Sequence, residues 1–172
     1  RAEQILRWIY HRGVTQIKHM TDLSIHDRTH LSAIATIRRP TITKVFQSRD
    51  GTAKFLIQLH DGASIETVLI PERDRRTVCI STQVGCSLDC RFCLTAELSL
   101  KRNLTAGEII GQFLCVQEHL THTNETPTRL TNVVMMGMGE PLANIEPVRD
   151  AIQNMMHGRC GLGLSPRRIT VS

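Results

Sequence analysis

Three cysteines fall within eight residues, in the stretch Gly85-Cys86-Ser87-Leu88-Asp89-Cys90-Arg91-Phe92-Cys93, a C-x3-C-x2-C spacing. Thiolates are the usual ligands of iron–sulfur clusters, so three in one loop can wrap a [4Fe–4S] cubane at Cys86, Cys90 and Cys93. Three ligands for four irons leave one iron open. That iron can chelate the amino and carboxylate groups of a methionine, which is what S-adenosylmethionine (SAM) presents. Phe92, between the last two cysteines, is placed to shield such a cluster from water. The competing reading is zinc, which takes four ligands, typically as two cysteine pairs. A second pair is missing, and Cys79, seven residues upstream, offers only a stray fourth ligand.

Other residues carry possible chemistry. In Gly139-Glu140-Pro141, a glycine lets backbone approach a ligand, and Glu140 can receive the ammonium of SAM in a charge-assisted bond. The plain alternative is a turn with a solvated carboxylate. Glu66 shares a strand face with Ser64, Val68 and Ile70 by period-two alternation. A carboxylate on a partly apolar face could have a raised pKa suited to a general base; an exposed strand glutamate is the plain alternative. Taken alone, Cys79 reads as a small buried apolar residue. Cys115 and Cys160 match no motif and read as structural. The eight histidines show no ligand spacing, and His26 and His30 read as surface residues.

The elements that must position these residues follow from periodicity. Residues 1–38 read as a helical accessory domain: a helix carrying Ile5, Leu6, Trp8 and Ile9 and ended by Gly13, a short helix over 17–20, and a third over 26–35 after Ser24. Residues 39–72 read as a three-stranded antiparallel meander turning at Asp50-Gly51 and Asp61-Gly62. Pro71 is expected to stop it, with 72–76 a charged linker. Residues 73–172 alternate strand and helix: a strand over 78–82, the cysteine loop, a helix from a capping box at Thr105–Glu108 to about His119, a polar loop over 120–130, a strand over 132–136, a helix over 145–157 capped by Asn144, and a final strand. Such alternation implies parallel strands. The fold class is therefore α/β, a partial (β/α) barrel preceded by a small helical domain and a β meander. Active sites of such folds sit at the carboxyl ends of the strands, where the cysteine loop falls.

The composition is that of a globular chain, 41% hydrophobic and 22% charged, with a net charge of +5. That charge suits an anionic partner such as RNA, with ordinary solubility as the alternative. Arg38, Arg39, Lys101 and Arg102 are candidate phosphate contacts. Aromatic residues make up only 3%, which argues against a broad base-stacking platform. No apolar run approaches the roughly 18 residues of a membrane span, and no secretory signal follows Arg1. A cytoplasmic protein without a membrane partner is expected. Lacking an initiator Met and closing on the strand-like Arg168–Ser172, the chain reads as a fragment.

Over nearly its whole length the sequence resembles the radical SAM adenine C2-methyltransferases of 23S ribosomal RNA and transfer RNA. The resemblance rests on Gln83-Val84-Gly85 with the cysteine loop, Ile70-Pro71, Arg102-Asn103-Leu104, Gly111-Gln112, Met136-Gly137-Met138-Gly139-Glu140-Pro141-Leu142 and Arg167–Ser172. It implies a [4Fe–4S] cluster and SAM as cofactors, with Gly139, Glu140 and Ser172 contacting SAM. It implies Glu66 as the acceptor of the adenine C2 proton and Cys79 as the thiol that resolves a protein–RNA crosslink. One SAM would methylate a cysteine, and a 5′-deoxyadenosyl radical from a second would activate that methyl group. A radical is required because C2 is electron-poor. The resemblance further implies an electron donor such as flavodoxin and action as a monomer. The methyl-carrying cysteine lies near the C-terminus in this family and is not matched by Cys160, so this piece alone is expected not to complete methyl transfer. C8 methylation of adenine and a non-catalytic, zinc-stabilised RNA-binding module are the competing functions.

Overall fold

The computed structural model describes residues 1–123 and 129–172. Helix α1 (Ala2–Tyr10) and helix α2 (Ile25–Ile34) flank a short 3-10 turn at Ile17–His19. The Ser24 hydroxyl caps α2 by accepting the Asp27 amide at 3.0 Å. These elements close over a small core of Ile17, Met20 and Leu23, with Trp8 and Leu31 packed on it. Arg39, where the chain leaves this helical unit, anchors its exit by donating to the Ile9 carbonyl at 2.8 Å.

Strands β1 (Thr41–Gln47), β2 (Ala53–Gln58) and β3 (Ser64–Glu72) form the expected antiparallel meander. The expected linker over 72–76 is instead a β-hairpin. β3 runs through Pro71 to Glu72, and β4 (Arg75–Cys79) returns along it with Glu72 opposite Arg75. Pro71 is tolerated because β2 begins only at Ala53, opposite Leu69, leaving this part of β3 paired on one side only. Arg73 takes the left-handed conformation that so tight a return demands.

After β4 the chain crosses through a small antiparallel pair, β5 (Gln83–Val84) and β6 (Arg102–Asn103), into α3 (Ala106–His122). Then come β7 (Asn132–Met135), α4 (Ile145–Met156) and β8 (Ile169–Val171). The main sheet has the order β1-β2-β3-β4-β7-β8, with β4–β7 and β7–β8 parallel. Meander and β/α unit are thus one continuous sheet. Phe55, Ile57, Ile65, Leu69, Val78, Val133 and Met135 bury one face of it against Ile109, Phe113, Val148 and Ala151 of the helices. The alternate residues Lys54, Leu56, Glu66, Val68, Thr77, Cys79 and Val134 make a second, half-exposed face.

Two further expectations are corrected. α3 extends to His122, so the polar loop expected over 120–130 begins later; its central part, 124–128, lies outside the described residues. Asn144 precedes α4 but makes no side-chain cap. Its buried amide instead donates to the carbonyls of Thr82 and Leu104, pulling the start of α4 onto the neck of the cysteine loop. Among the described residues no helix is long and apolar enough to cross a membrane.

Thr105 and Glu108 form the capping box of α3. Arg102 adds a two-pronged bond to Glu108 (2.8 and 2.9 Å) and a third to Asp61 (2.8 Å). Burial works against the Glu108 charge, but the bonds from Arg102 and Thr105 outweigh it and hold the carboxyl below its ordinary value. The Arg102 bond and the Ala63 amide lower Asp61 from 3.8 to about 2. Groups held low stabilise the fold above their ordinary pKa, and that stabilisation disappears as pH falls through the folded value. Between about pH 4 and about pH 2 the thermal midpoint of the wild type should therefore fall more steeply than that of Arg102→Met, which lacks the pairing. Parallel profiles would show that the triad contributes nothing.

Candidate active site

The parallel register sets Cys79 beside Val134, and Val134 beside Thr170. The carboxyl ends of β4, β7 and β8 are therefore level. From that one edge emerge the cysteine loop, the Gly137–Pro141 loop and Ser172. The site end of a β/α sheet is expected here. The antiparallel register sets Cys79 beside Val68, so Cys79, Val68 and Glu66 share the half-exposed face. Glu66 lies diagonal to Cys79, about 7–8 Å away by sheet geometry.

Glu66 stands on the strand face that alternation gave it, in the exposed setting of the plain alternative. Its side chain is 45% exposed and ion-paired with Lys54 at 2.8 Å. Lys54 faces Val68 across β2–β3, one alternation from Glu66, which puts the two charges within reach on the same face. Cys79 is half-buried. Burial pushes its thiol pKa up, and a backbone hydrogen bond from Met136 only partly opposes this. A protonated thiol thus stands on the same open face as a carboxylate.

The cysteine loop is closed at its neck by the β5–β6 pair and by Lys101 N–H donating to the Val84 carbonyl at 2.8 Å. Gly85 sits at φ +79°, and a Cβ there would lie 2.2 Å from the Ser99 carbonyl oxygen. Only glycine admits that approach. Inside the loop, the Cys93 amide donates to the Cys90 carbonyl at 2.9 Å. The Leu88 amide donates to Cys86 Sγ at 3.4 Å. The hydroxyl of Thr95, with the amides of Thr95 and Ala96, holds the Cys93 thiol below its ordinary pKa. Among the described residues no three His, Cys, Asp or Glu side chains form a ready-made metal-ligand group. The loop therefore supplies three thiols without converging them. Their donor set, with N–H groups directed at two of the sulfurs, is what an iron–sulfur group binds. Phe92 does not cover the loop: it is 94% exposed.

Glu140 and Gly139 are held against that neck. The Glu140 amide donates to Gln83 Oε1 at 2.9 Å, and the Glu140 carboxylate accepts the Leu142 amide at 3.0 Å. At Gly139, φ +95°, a Cβ would lie 2.4 Å from the Cβ of Gln83. The close approach that this glycine permits is to the chain's own Gln83. Ser172 is exposed just past β8. Cys115 is structural, as expected: its thiol donates to the Pro40 carbonyl at 3.0 Å and burial pushes its pKa up to about 11. Cys160 is buried beside His157. A cavity of about 630 Å³ beside α3 is lined by Tyr10, His11, Phe113 and Gln117, and among the described residues no cysteine or carboxylate lines it. The loop thiols, Cys79, Glu66 and Glu140 gather at the sheet edge instead.

Residues 1–37 match the family model described as the ribosomal RNA large subunit methyltransferase N-terminal domain. Across its full length the chain is 50% identical to the dual-specificity RNA methyltransferase RlmN of Geobacter sulfurreducens, covering 45% of that protein. It is 48% identical to the RlmN of Saccharophagus degradans, covering 43%. The crystal structure of a radical SAM methyltransferase from Sphaerobacter thermophilus superposes with a TM-score of 0.86 at 40% identity, over 99% of this chain and 49% of that one. Over its full length the chain is thus similar to proteins named RlmN and to one radical SAM methyltransferase of known structure. It spans about half the length of the curated relatives it matches. The partial α/β barrel anticipated from the sequence is the fold observed.

Within this fold the basic residues sort differently from expectation. Arg39 is consumed by Ile9 and by Glu118 at 3.5 Å, and Arg102 by Glu108 and Asp61. Arg38 and Lys101 remain exposed. Sequence reasoning also passed over Lys54 and Ser81, and took Gln83 only as part of a motif. Gln112 was noticed only as part of a motif, although a single amide inside the apolar run Ile109–Leu114 marks a buried polar contact. Gly139→Ala should destabilise the protein by about 2–5 kcal/mol, from left-handed strain plus overpacking against Gln83. The midpoint of urea unfolding measures this; an unchanged midpoint would mean that the loop shifts freely off Gln83.

Proposed function

We propose that the protein is the cluster- and SAM-binding portion of a radical SAM RNA methyltransferase that methylates C2 of adenine in 23S ribosomal RNA and in transfer RNA. One observation carries the reading: three loop thiols, Glu140, Glu66 and Cys79 gather at one end and one open face of a single sheet. Cys86, Cys90 and Cys93 would hold a [4Fe–4S] cluster, and Gly139, Glu140 and Ser172 would line the SAM site. When bound, the cluster supplies the electron that cleaves SAM to a 5′-deoxyadenosyl radical. Glu140 has one carboxylate oxygen on the Leu142 amide, which leaves the other to receive the SAM ammonium. Glu66 would accept the C2 proton, with Lys54 holding the carboxylate in place. Cys79, diagonal to it on the same face, would attack the sulfur of the methyl-carrying cysteine, forming a disulfide as the sulfur–carbon bond to the adenine adduct breaks and the released carbon takes a proton. Relatives at 44–50% identity are dual-specificity RNA methyltransferases, which supports the RNA substrates. A flavodoxin-type electron donor, a monomeric state and a cytoplasmic setting complete the proposal.

Anaerobic reconstitution with iron and sulfide tests it. About four irons per chain are expected, lost on replacing Cys86, Cys90 and Cys93 by Ala, with 5′-deoxyadenosine formed from SAM under reduction. A single tight zinc and no iron would replace this reading with the zinc-stabilised RNA-binding module. RNA binding has its own test. Arg38→Glu and Lys101→Glu should each weaken binding and lower the salt slope by about one. If both leave the slope unchanged, phosphate contacts at these positions are ruled out.

A further inference from the structure

Ser81 lies between β4 and the cysteine loop and is fully buried. Its hydroxyl donates to the Glu66 carbonyl at 2.6 Å and accepts the Met138 amide at 2.9 Å. One oxygen therefore bridges the backbone of the proton-acceptor strand and that of the Gly139–Glu140 loop. Met138 strengthens the junction. Its carbonyl accepts the amides of Thr82 and Gln83, on the approach to Cys86, and its sulfur accepts the Glu66 amide at 3.3 Å.

Ser81 is itself fixed by Gln112 of α3, which is 0% exposed. Gln112 Oε1 accepts the Ser81 amide at 2.8 Å, and its Nε2 donates to the Ser81 carbonyl at 2.9 Å. The same Oε1 accepts the Thr67 hydroxyl at 2.8 Å, from the residue after Glu66. Ser81 cannot shift along the strand without breaking both amide bonds, and buried polar groups left unpaired are costly. An apolar residue of similar size at either position would fill the space without specifying this alignment.

We propose that Ser81, clamped by Gln112, is a positioning residue that sets Glu66, the Gly139–Glu140 loop and the Cys86 approach in register with one another. The inference rests on the radical SAM reading for what these segments do, but the linkage itself is a property of the chain. Ser81 is buried behind these segments and would act only through their backbone, at the Glu66 carbonyl and the Met138 amide.

The test pairs Ser81→Ala with Thr131→Val. Thr131 makes a comparable hydroxyl bridge at the opposite end of the sheet, accepting the Arg76 amide at 3.0 Å. Both variants should lower the thermal midpoint and keep the iron content. In the reconstituted protein the SAM concentration that half-perturbs the cluster's electron paramagnetic resonance signal should rise at least tenfold in Ser81→Ala and less than twofold in Thr131→Val. In the protein without cluster, amide exchange at Met138 and over 137–140 should quicken at least tenfold in Ser81→Ala alone. If the two variants shift SAM binding and exchange alike, or Ser81→Ala shifts neither, Ser81 is only a structural tie and the inference falls. If the unaltered protein takes up no cluster, the functional reading falls, while the exchange result still decides the linkage.

Discussion

The pairing of β3 with β4 is the constraint on which the site depends. It joins a local antiparallel meander to strands that arrive by long crossovers. Because residues directly opposite in a ladder project to the same side, matching Cys79 to Val68 puts the thiol on Glu66's face. A one-residue slip would turn Cys79 into the helix-covered core and bring Val78 out. That slip is opposed by the apolar side: Val78 and Leu69, paired and buried, would be exchanged for a thiol and a solvent-facing valine. Hydrophobic burial on one face therefore enforces the chemistry on the other.

The level of the parallel strands is set differently, by polar groups that burial makes expensive to mispair. Gln112, Ser81, Gln83 and Asn144 are all buried, and each spends its side chain on backbone of a different segment. Loops at the carboxyl edge of a sheet have little apolar surface with which to hold themselves. Here they are held by hydrogen bonds in a low-dielectric setting, where a lost partner leaves a group unsatisfied at about 1–3 kcal/mol. Glycine supplies the remaining tolerance, at Gly85 and Gly139, where backbone or side chain occupies the space of a Cβ. The apolar residues of the cysteine loop contribute nothing to this core: Phe92 and Leu94 are largely exposed.

Much of this was legible from residue order. The period-two and period-3.6 stretches, the Thr105–Glu108 box and the Asp-Gly turns gave the elements, and the C-x3-C-x2-C spacing marked the site loop. The hairpin at 72–76 was hidden because Pro71 and five charged residues in a row imitate a linker. Its strand character is decided by the neighbours it pairs with, which local propensity does not contain. Asn144 was read as a cap for the same reason: the residue type fits the position, and only the folded chain brings the Thr82 and Leu104 carbonyls within its reach. The face of Glu66 followed from alternation, while its ion pair with Lys54 required the β2–β3 register.

Net charge is the property most easily misread here. Of the basic residues singled out for phosphate contact, Arg39 and Arg102 are bound within the fold. An arginine locked in a two-pronged carboxylate pair presents little field to an approaching polyanion, because its partner largely cancels the charge at distances well beyond their separation. Arg38 and Lys101 are exposed and form no ion pair among the described residues. Lys101 follows the cysteine loop directly, at the site edge of the sheet, and its amide already closes the loop's neck on Val84. A phosphate there would be drawn toward the edge from which the thiols, Glu140 and Ser172 emerge. The excess positive charge thus acts where a few unpaired side chains stand, and the paired arginines serve to fix the backbone that carries them.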